Sequence, residues 1–285
     1  HAGNTGYATT NGSTFTVSGS GFDIWNSGDA FRLYYQTRTG DGTLTARVAS
    51  LTPTDPWAKV GVMIRESLDS GARNTFLALS ASNGAAFQQR PVPLTLTTST
   101  SGPVVAAPYW VRVVRSGATF TGYVSPDGTI WTQVGTANLP GFNTTALWGL
   151  AVTAHNNMLT NVTTFDNVTV VQPPVIAAIS DQTLIAGQTL KLTNTIVNPS
   201  TPPQTLTWSL ASGPTNATLD ASTGIFSWRP LIAQSPSTNN LVLSVTVSGP
   251  PPLNDTQPFS VAVLPPVTPS LSAPAMVGGI FSVSV

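Results

Sequence analysis

Two faces alternate along Asp55–Ser67, a segment with the sequence DPWAKVGVMIRES. One face is apolar and consists of Ala58, Val60, Val62 and Ile64. The other consists of Trp57, Lys59, Gly61, Met63 and Arg65. Strict alternation over this length predicts a half-buried antiparallel strand whose apolar face meets a core. An aromatic ring, two cations and a glycine that keeps the surface shallow favour a ligand-facing strand of a β-sandwich on the other side.

Short alternating runs, separated by Gly, Asn, Pro and Asp turns, fill the first 171 residues, and helical periodicity is nearly absent. This rhythm is typical of β-sandwiches. We predict strands at Thr14–Ser18, Ala30–Gln36, Gly42–Leu51, Lys59–Glu66, Asn74–Ser80, Ala85–Arg90, Tyr109–Arg115, Thr119–Ser125, Trp131–Thr136, Leu147–Thr153 and Thr163–Val171. So many strands exceed an immunoglobulin sandwich and predict a larger jelly roll.

The pattern breaks at Gln172-Pro173-Pro174, after which charged residues become rare. Residues 175–264 have the length and strand rhythm of an immunoglobulin-like sandwich. Its predicted strands are Thr189–Asn194, Thr205–Ser209, Gly224–Trp228, Leu241–Val247 and Pro258–Val263.

A second proline-rich linker, at Pro265-Pro266 and Pro269, is followed by Ala275–Val285, which predicts one or two strands without partners. Such a fragment cannot form a domain by itself, so it either opens a truncated module or pairs with an edge in another element or chain. The predicted domains are therefore residues 1–172, 175–264 and 267–285.

Composition narrows the classes of function. Charged residues make up 8% of the 285 residues, against about 25% in ordinary soluble proteins. The net charge is zero, which argues against a nucleic-acid partner, and no apolar run is long enough for membrane insertion. The absence of cysteine excludes disulfides and thiolate chemistry. Low charge with abundant Gly, Pro, Thr, Ser and Asn is typical of exported β-modules and favours an extracellular or cell-surface location.

Several motifs carry a family resemblance. GSGFDIWNSGDAFRLYYQTRTGDGTLTARVASL, TDPWAKVGVMIRES, APYWVRVVRSGATFTGYVSPDGTIWTQVG and GLAVTAHNN stand in consecutive order between Gly3 and Val171. Together they resemble concanavalin A-like modules of the DUF1349 type, found in large secreted or surface bacterial proteins. The later motifs DQTLIAGQTLKL and LDASTGIFSWRP resemble immunoglobulin-like, cadherin-like repeats. The resemblance implies a curved jelly roll whose concave face often meets carbohydrate, and it implies no reaction.

Alternate side chains of a strand point to opposite faces of a sheet, and this rule extends the candidate ligand-binding face to two other predicted strands. Val111 and Val113 belong to the core, which places Trp110 and Arg112 opposite them. Phe87 is core-like, which places Gln88 and Arg90 opposite. The predicted ligand-binding residues are therefore Trp57, Lys59, Arg65, Gln88, Arg90, Trp110 and Arg112. Aromatic rings among guanidinium and amide donors suit sugars, although the same side chains can simply pack on each other. The loops around Trp25 and His155 are the other place where a ligand could bind.

Metal and catalytic sites have weaker support. Asp23, Asp41 and Asp55 lie in or beside turns, where a jelly roll can hold structural calcium. No DxDxD cluster is present, so we predict no cofactor and assign no calcium ligands. A glycosidase needs paired carboxylates, whereas Glu66 is the only glutamate and is expected to pair with an arginine. His155 has the sequence context of a hydrogen-bonded turn residue, and we predict no enzymatic activity.

Two functions fit these observations. The first is a non-catalytic extracellular module that binds a polysaccharide or glycoconjugate and is carried on spacer domains of a larger exported protein. The alternative is a structural stalk, adhesion or filament protein whose copies associate through the C-terminal strand.

Overall fold

The computed structural model describes residues 6–247 and 253–267, and the backbone of two short strands at 275–277 and 280–282. Apart from one 3₁₀ turn, Ile232–Gln234, the secondary structure of this part of the chain is all β. None of the described residues forms a helix that is long and apolar enough to cross a membrane. Contacts divide the chain into two compact units: His1–Gln172 with Ser200–Pro203, and Pro173–Pro199 with Gln204–Val285. The three predicted domain boundaries remain expectations.

The first unit is a concanavalin A-like jelly-roll sandwich of two antiparallel sheets. One sheet has seven strands, in the spatial order β1 (Gly6–Asn11), β2 (Thr14–Gly21), β15 (Asn156–Val171), β6 (Gly42–Ser50), β11 (Tyr109–Ser116), β12 (Thr119–Ser125) and β13 (Thr132–Asn138). The other has six, in the order β10 (Thr98–Ser101), β9 (Ala85–Arg90), β8 (Asn74–Ser80), β7 (Lys59–Arg65), β14 (Thr145–Thr153) and β5 (Arg32–Thr39).

The core lies between these two sheets. Val60, Val62 and Ile64 of β7 pack in one cluster with Val111 and Val113 of β11, and all five are fully buried. The apolar face predicted from the period-two pattern is therefore confirmed.

The other face of β7 is also buried, which corrects the prediction of a ligand-facing strand along its whole length. Met63 packs with Phe76 and Ala151 in a second apolar cluster outside the sandwich. A small hairpin of β3 (Ile24–Trp25) and β4 (Gly28–Asp29) contributes Ile24 to this cluster. Alternation identifies the two faces of a strand, but it cannot tell that a distant hairpin covers one of them.

The second unit contains an immunoglobulin-like sandwich. Its four-stranded sheet has the order β16 (Gln182–Ile185), β22 (Leu253–Leu264), β21 (Ser237–Val247) and β18 (Leu206–Ser212). Its three-stranded sheet has the order β17 (Leu190–Thr193), β20 (Ile225–Trp228) and β19 (Ala217–Leu219). The edge strand β16 runs parallel to β22, and Phe226, Trp228 and Leu241 are buried between the sheets.

Two further strands follow, β23 (Ala275–Val277) and β24 (Ile280–Ser282). They pair antiparallel with each other, whereas the sequence predicted strands without partners. The rest of the predicted third module, at 268–274, 278–279 and 283–285, lies outside the described residues.

Both units contain an aspartate that anchors a tight turn. Asp127 Oδ1 accepts hydrogen bonds from the N–H groups of Thr129 (2.8 Å) and Ile130 (2.9 Å). Asp220 Oδ1 accepts the N–H of Thr223 at 2.7 Å. These backbone donors hold the pKa of both carboxyls well below the usual range.

This geometry predicts a loss of stability in acid. Because the folded-state pKa is depressed, the two carboxylates stabilise the fold above their unfolded pKa of about 3.9, and this contribution is lost as the pH falls below it. Thermal denaturation at pH 7 and pH 3 is expected to show a smaller drop in Tm for D127N/D220N than for the wild type. Asparagine can accept the same N–H bonds without titrating. Equal drops in the two proteins would contradict this assignment.

Candidate functional site

A shallow groove with a volume of about 530 Å³ crosses the outer face of the six-stranded sheet. Its floor consists of small or polar side chains from β7 to β10. The floor residues include Ala78, Ser80, Ala86, Gln88, Ser99 and Ser101. The register places these residues side by side, with Ala78 opposite Ala86 and Gln88 opposite Ser99. Gly61 of β7 lies opposite Ala78 in the register, and a Cβ there would lie 2.0 Å from the carbonyl oxygen of Leu77. Only glycine fits that close approach of two strands.

Two tryptophans border the groove, Trp25 from the β3–β4 hairpin and Trp57 from the segment before β7. Trp57 is 51% exposed. The Nζ atom of Lys59 lies 5.7 Å from the ring centroid of Trp25 and 5.9 Å from that of Trp57. The ammonium group is therefore within cation–π distance of both indole rings and links them.

A network of charged groups surrounds Lys59. Its Nζ donates to Asp23 Oδ1 at 2.5 Å, and both side chains are at least nine-tenths buried. The ring of His155 lies between two carboxylates, with Nε2 3.3 Å from Asp23 Oδ2 and Nδ1 3.1 Å from Asp55 Oδ1. The ammonium, imidazole and carboxylate groups at this end of the groove thus contact each other.

Gln88 supplies the unmatched polar group of the floor. Its side chain is buried, and its Oε1 accepts no hydrogen bond from any residue that the structure describes. A buried amide oxygen without a donor is costly in a folded protein. The same side chain is among those that line the groove, so a ligand bound there lies against it.

The predicted site residues fall into three places. Trp57, Lys59 and Gln88 line the groove. Arg65 and Arg90 lie beneath the β3–β4 hairpin, where both pair with Asp29 at N–O distances of 3.2 and 2.5 Å. Both arginines are at most 1% exposed. Burial lowers the pKa of Arg65, and the Asp29 carboxylate opposes that shift. These two arginines therefore hold the hairpin and offer no surface to a ligand, which corrects their predicted placement.

The structure separates Trp110 and Arg112 from the other candidates. They lie on β11 of the seven-stranded sheet, and Arg112 Cζ is 3.6 Å from the ring centroid of Trp131. Trp110 packs edge-on against the same ring at 6.5 Å. Burial lowers the pKa of Arg112. The prediction of one continuous ligand-binding face was wrong. The alternation of side chains shows the two faces of a strand, but it does not reveal which sheet the strand joins.

Local sequence patterns hardly indicate the remaining groove residues. The sequence places Trp25 and His155 at an alternative location for a ligand, and Asp23 and Asp55 at turns where a jelly roll can hold calcium. Ser99 and Ser101 lie on β10, a strand that the sequence did not predict. The groove is assembled from segments that lie far apart in the sequence. The ion pairs of Asp23, for example, join residues that are 36 and 132 positions apart. A local sequence pattern therefore cannot reveal them.

Two smaller expectations are settled by contacts in the first unit. Glu66 pairs with Arg73 at 3.4 Å, as predicted. Asp41 accepts the N–H of Gly117 at 2.7 Å, as a turn residue does. Within the described residues, no three His, Asp or Glu side chains are grouped so that they could hold a metal ion. Structural calcium therefore stays unassigned.

Comparison with family models and with curated proteins finds no match. Among solved structures, a functionally unknown protein from Saccharomyces cerevisiae is 17% identical with a TM-score of 0.48, over 59% of this chain and 92% of that one. A GH43 protein BlXynB mutant from Bacillus licheniformis is 10% identical with a TM-score of 0.41, over 56% of this chain and 37% of that one. Lectin I-B4 from Griffonia simplicifolia is 10% identical with a TM-score of 0.34, over 57% of this chain and 90% of that one.

These similarities concern the lectin-like jelly-roll fold alone. At TM-scores below 0.5 they carry no ligand or reaction over to this chain. The resemblance to DUF1349 modules and to cadherin-like repeats rests on the quoted motifs, since no family model matches.

Proposed function

We propose that the first unit is a non-catalytic module that binds a neutral polysaccharide or glycoconjugate in the groove between Trp25 and Trp57. The observation that carries this proposal is the pairing of two border indoles with a shallow polar floor. Sugar rings have apolar faces that stack on indole and a rim of hydroxyls that needs hydrogen-bonding partners. A floor of small side chains leaves room for a sugar chain in the groove.

The charge pattern favours a neutral ligand. Lys59 is bonded to Asp23, and His155 contacts both Asp23 and Asp55, so no cation on the groove floor is left for a uronate or sulfate. The groups that remain are the Gln88 amide and the hydroxyls of Ser99 and Ser101. These are partners for sugar hydroxyls, since both act as donors and acceptors.

The hydrogen bonds that the groove carboxylates accept also argue for sugar binding without hydrolysis. A glycosidase requires one carboxylic acid and one free carboxylate on either side of the scissile bond. In the groove, Asp23 accepts from Lys59 and from the N–H of Ile24, and Asp55 accepts from the N–H of Trp57. We further propose, on the DUF1349 resemblance and the exported-type composition, that the module works outside a bacterial cell as part of a larger surface or secreted protein.

The test is a binding screen with the full 285-residue chain against neutral glycans (xylan, mixed-linkage glucan, mannan, galactan) and acidic ones (alginate, polygalacturonate). Isothermal titration is expected to detect at least one neutral glycan, with Trp57→Ala weakened and Trp110→Ala unchanged. Binding of acidic glycans only, or equal binding by Trp57→Ala, would contradict the groove proposal. If no glycan binds, the structural alternative of association through the C-terminal strands takes precedence.

Replacement of Gln88 is expected to change stability and glycan affinity in opposite directions. Replacing it with leucine is expected to raise the free energy of unfolding by up to about 1 kcal/mol, since the buried unpaired amide is removed. The affinity for the neutral glycan is expected to fall about fivefold or more, as one hydrogen bond of about 1 kcal/mol is lost. Urea denaturation and titration calorimetry measure the two effects. Gln133→Leu, at an exposed position on β13, is the control and should change neither by more than about 0.5 kcal/mol.

A further inference from the structure

His155 occupies the turn between β14 and β15 with a left-handed backbone, at φ 52°. Its N–H lies 3.4 Å from Thr153 Oγ1, and its ring stacks on Phe22 with centroids 5.7 Å apart and an interplanar angle of 22°. These contacts fix the ring so that both nitrogens point at carboxylates.

The carboxylates belong to the two segments that carry the groove tryptophans. Asp23 precedes Trp25 by two residues, and its Oδ1 accepts the N–H of Ile24 at 2.7 Å. Asp55 precedes Trp57 by two residues, and its Oδ1 accepts the N–H of Trp57 at 2.7 Å. One imidazole ring therefore joins the bases of both tryptophan segments.

The number of protons on the ring decides whether both contacts are attractive. A neutral imidazole has one N–H donor and one lone pair, and an ionised carboxylate can only accept. Both contacts are hydrogen bonds only when the ring is doubly protonated, and charge-assisted bonds of this kind are stronger than neutral ones.

We propose that His155 is a positioning residue, an imidazolium that ties the Trp25 and Trp57 segments together and sets the width of the groove. This proposal rests on the glycan-binding function. The charged groups that face the ring are Asp23, Asp55 and, through its bond to Asp23, Lys59. When the ring loses one proton, one nitrogen presents a lone pair to a carboxylate and that hydrogen bond is lost. One tryptophan segment is then released, which lowers the affinity for the sugar. Glycan binding therefore weakens as the pH rises.

The first test is calorimetric titration of the full chain with a neutral glycan from pH 5 to pH 9. A neutral glycan has no titratable group of its own, so a change in affinity reports on the protein. The wild type is expected to bind about tenfold more weakly at pH 9 than at pH 5, the loss of roughly one charge-assisted hydrogen bond. His155→Gln should bind weakly at every pH, and Asp55→Asn should show a reduced pH dependence.

The second test needs no ligand. The chain has two histidines, so the ring ¹⁵N signals of His155 are assigned by their loss in His155→Gln. At the low end of the pH range, both ring N–H groups of His155 should couple across hydrogen bonds to the carboxylates of Asp23 and Asp55. The absence of these couplings at pH 5, or an affinity that is constant from pH 5 to pH 9, would overturn the proposal. If no glycan binds at all, the proposed function fails, and the NMR result still decides whether the ring joins the two segments.

Discussion

Replacement of Asp29 by asparagine is expected to lower the free energy of unfolding of the first unit by about 3–5 kcal/mol. The Asp29 carboxylate is fully buried and accepts from Arg65, from Asn74 and, through both oxygens, from Arg90. Asparagine leaves two buried guanidinium groups without a counter-charge, and the penalty for an uncompensated buried charge is large. Arg90 also donates to the carbonyl oxygen of Trp25, so the border of the groove is expected to loosen as well.

Hydrogen exchange followed by mass spectrometry measures this effect best, because it reports peptides of each unit separately. Asp166→Asn is the matched control, since Asp166 forms a bidentate pair with Arg47 whose side chain is 38% exposed. Partly exposed pairs of this kind contribute about 0–1 kcal/mol. If Asp29→Asn costs no more than Asp166→Asn, the hairpin is not held by its buried ion pairs.

The double variant Trp25→Ala/Trp57→Ala is expected to abolish measurable glycan binding. Tryptophans at the centre of binding sites commonly contribute about 2 kcal/mol or more each, which is about 30-fold in affinity for each ring. The indole rings supply the apolar platforms, and their loss also removes the two cation–π contacts of Lys59. Titration calorimetry with the neutral glycan gives the affinity.

Circular dichroism is the necessary check that this variant folds, and the exposed position of Trp57 predicts that it does. Trp110→Ala removes an indole of the same size from the seven-stranded sheet and should bind like the wild type. Retained binding by the double variant would move the site away from the groove.

The strand pattern could be predicted because it depends on local signals. The alternation of apolar and polar residues predicted β7 and its buried face with Val60 and Val62. Turn residues predicted the hairpin at Asp127. Edge strands such as β10, with the polar sequence TSTS and four exposed residues, carry no alternation and were missed.

The site could be predicted only in part, because it is assembled over long distances in the sequence. Parity placed Trp57, Lys59 and Gln88 on the outer face, where they line the groove. The alternation also placed Arg65 and Arg90 on the outer face. It could not show that both pair with Asp29 of the β3–β4 hairpin, which covers them. His155 was expected as a turn residue, and its two carboxylate partners lie 132 and 100 positions away along the chain.

Oxidative footprinting of the tryptophans, with and without a bound neutral glycan, tests the central claim most directly. The chain has seven tryptophans, and mass spectrometry reports the oxidation of each one in the wild-type protein. The groove proposal predicts that saturating glycan protects Trp57 and Trp25 and leaves Trp110 and Trp131 unchanged. Protection of Trp110 and Trp131, with Trp57 oxidised as in the free protein, would place the ligand on the other sheet and contradict the proposal.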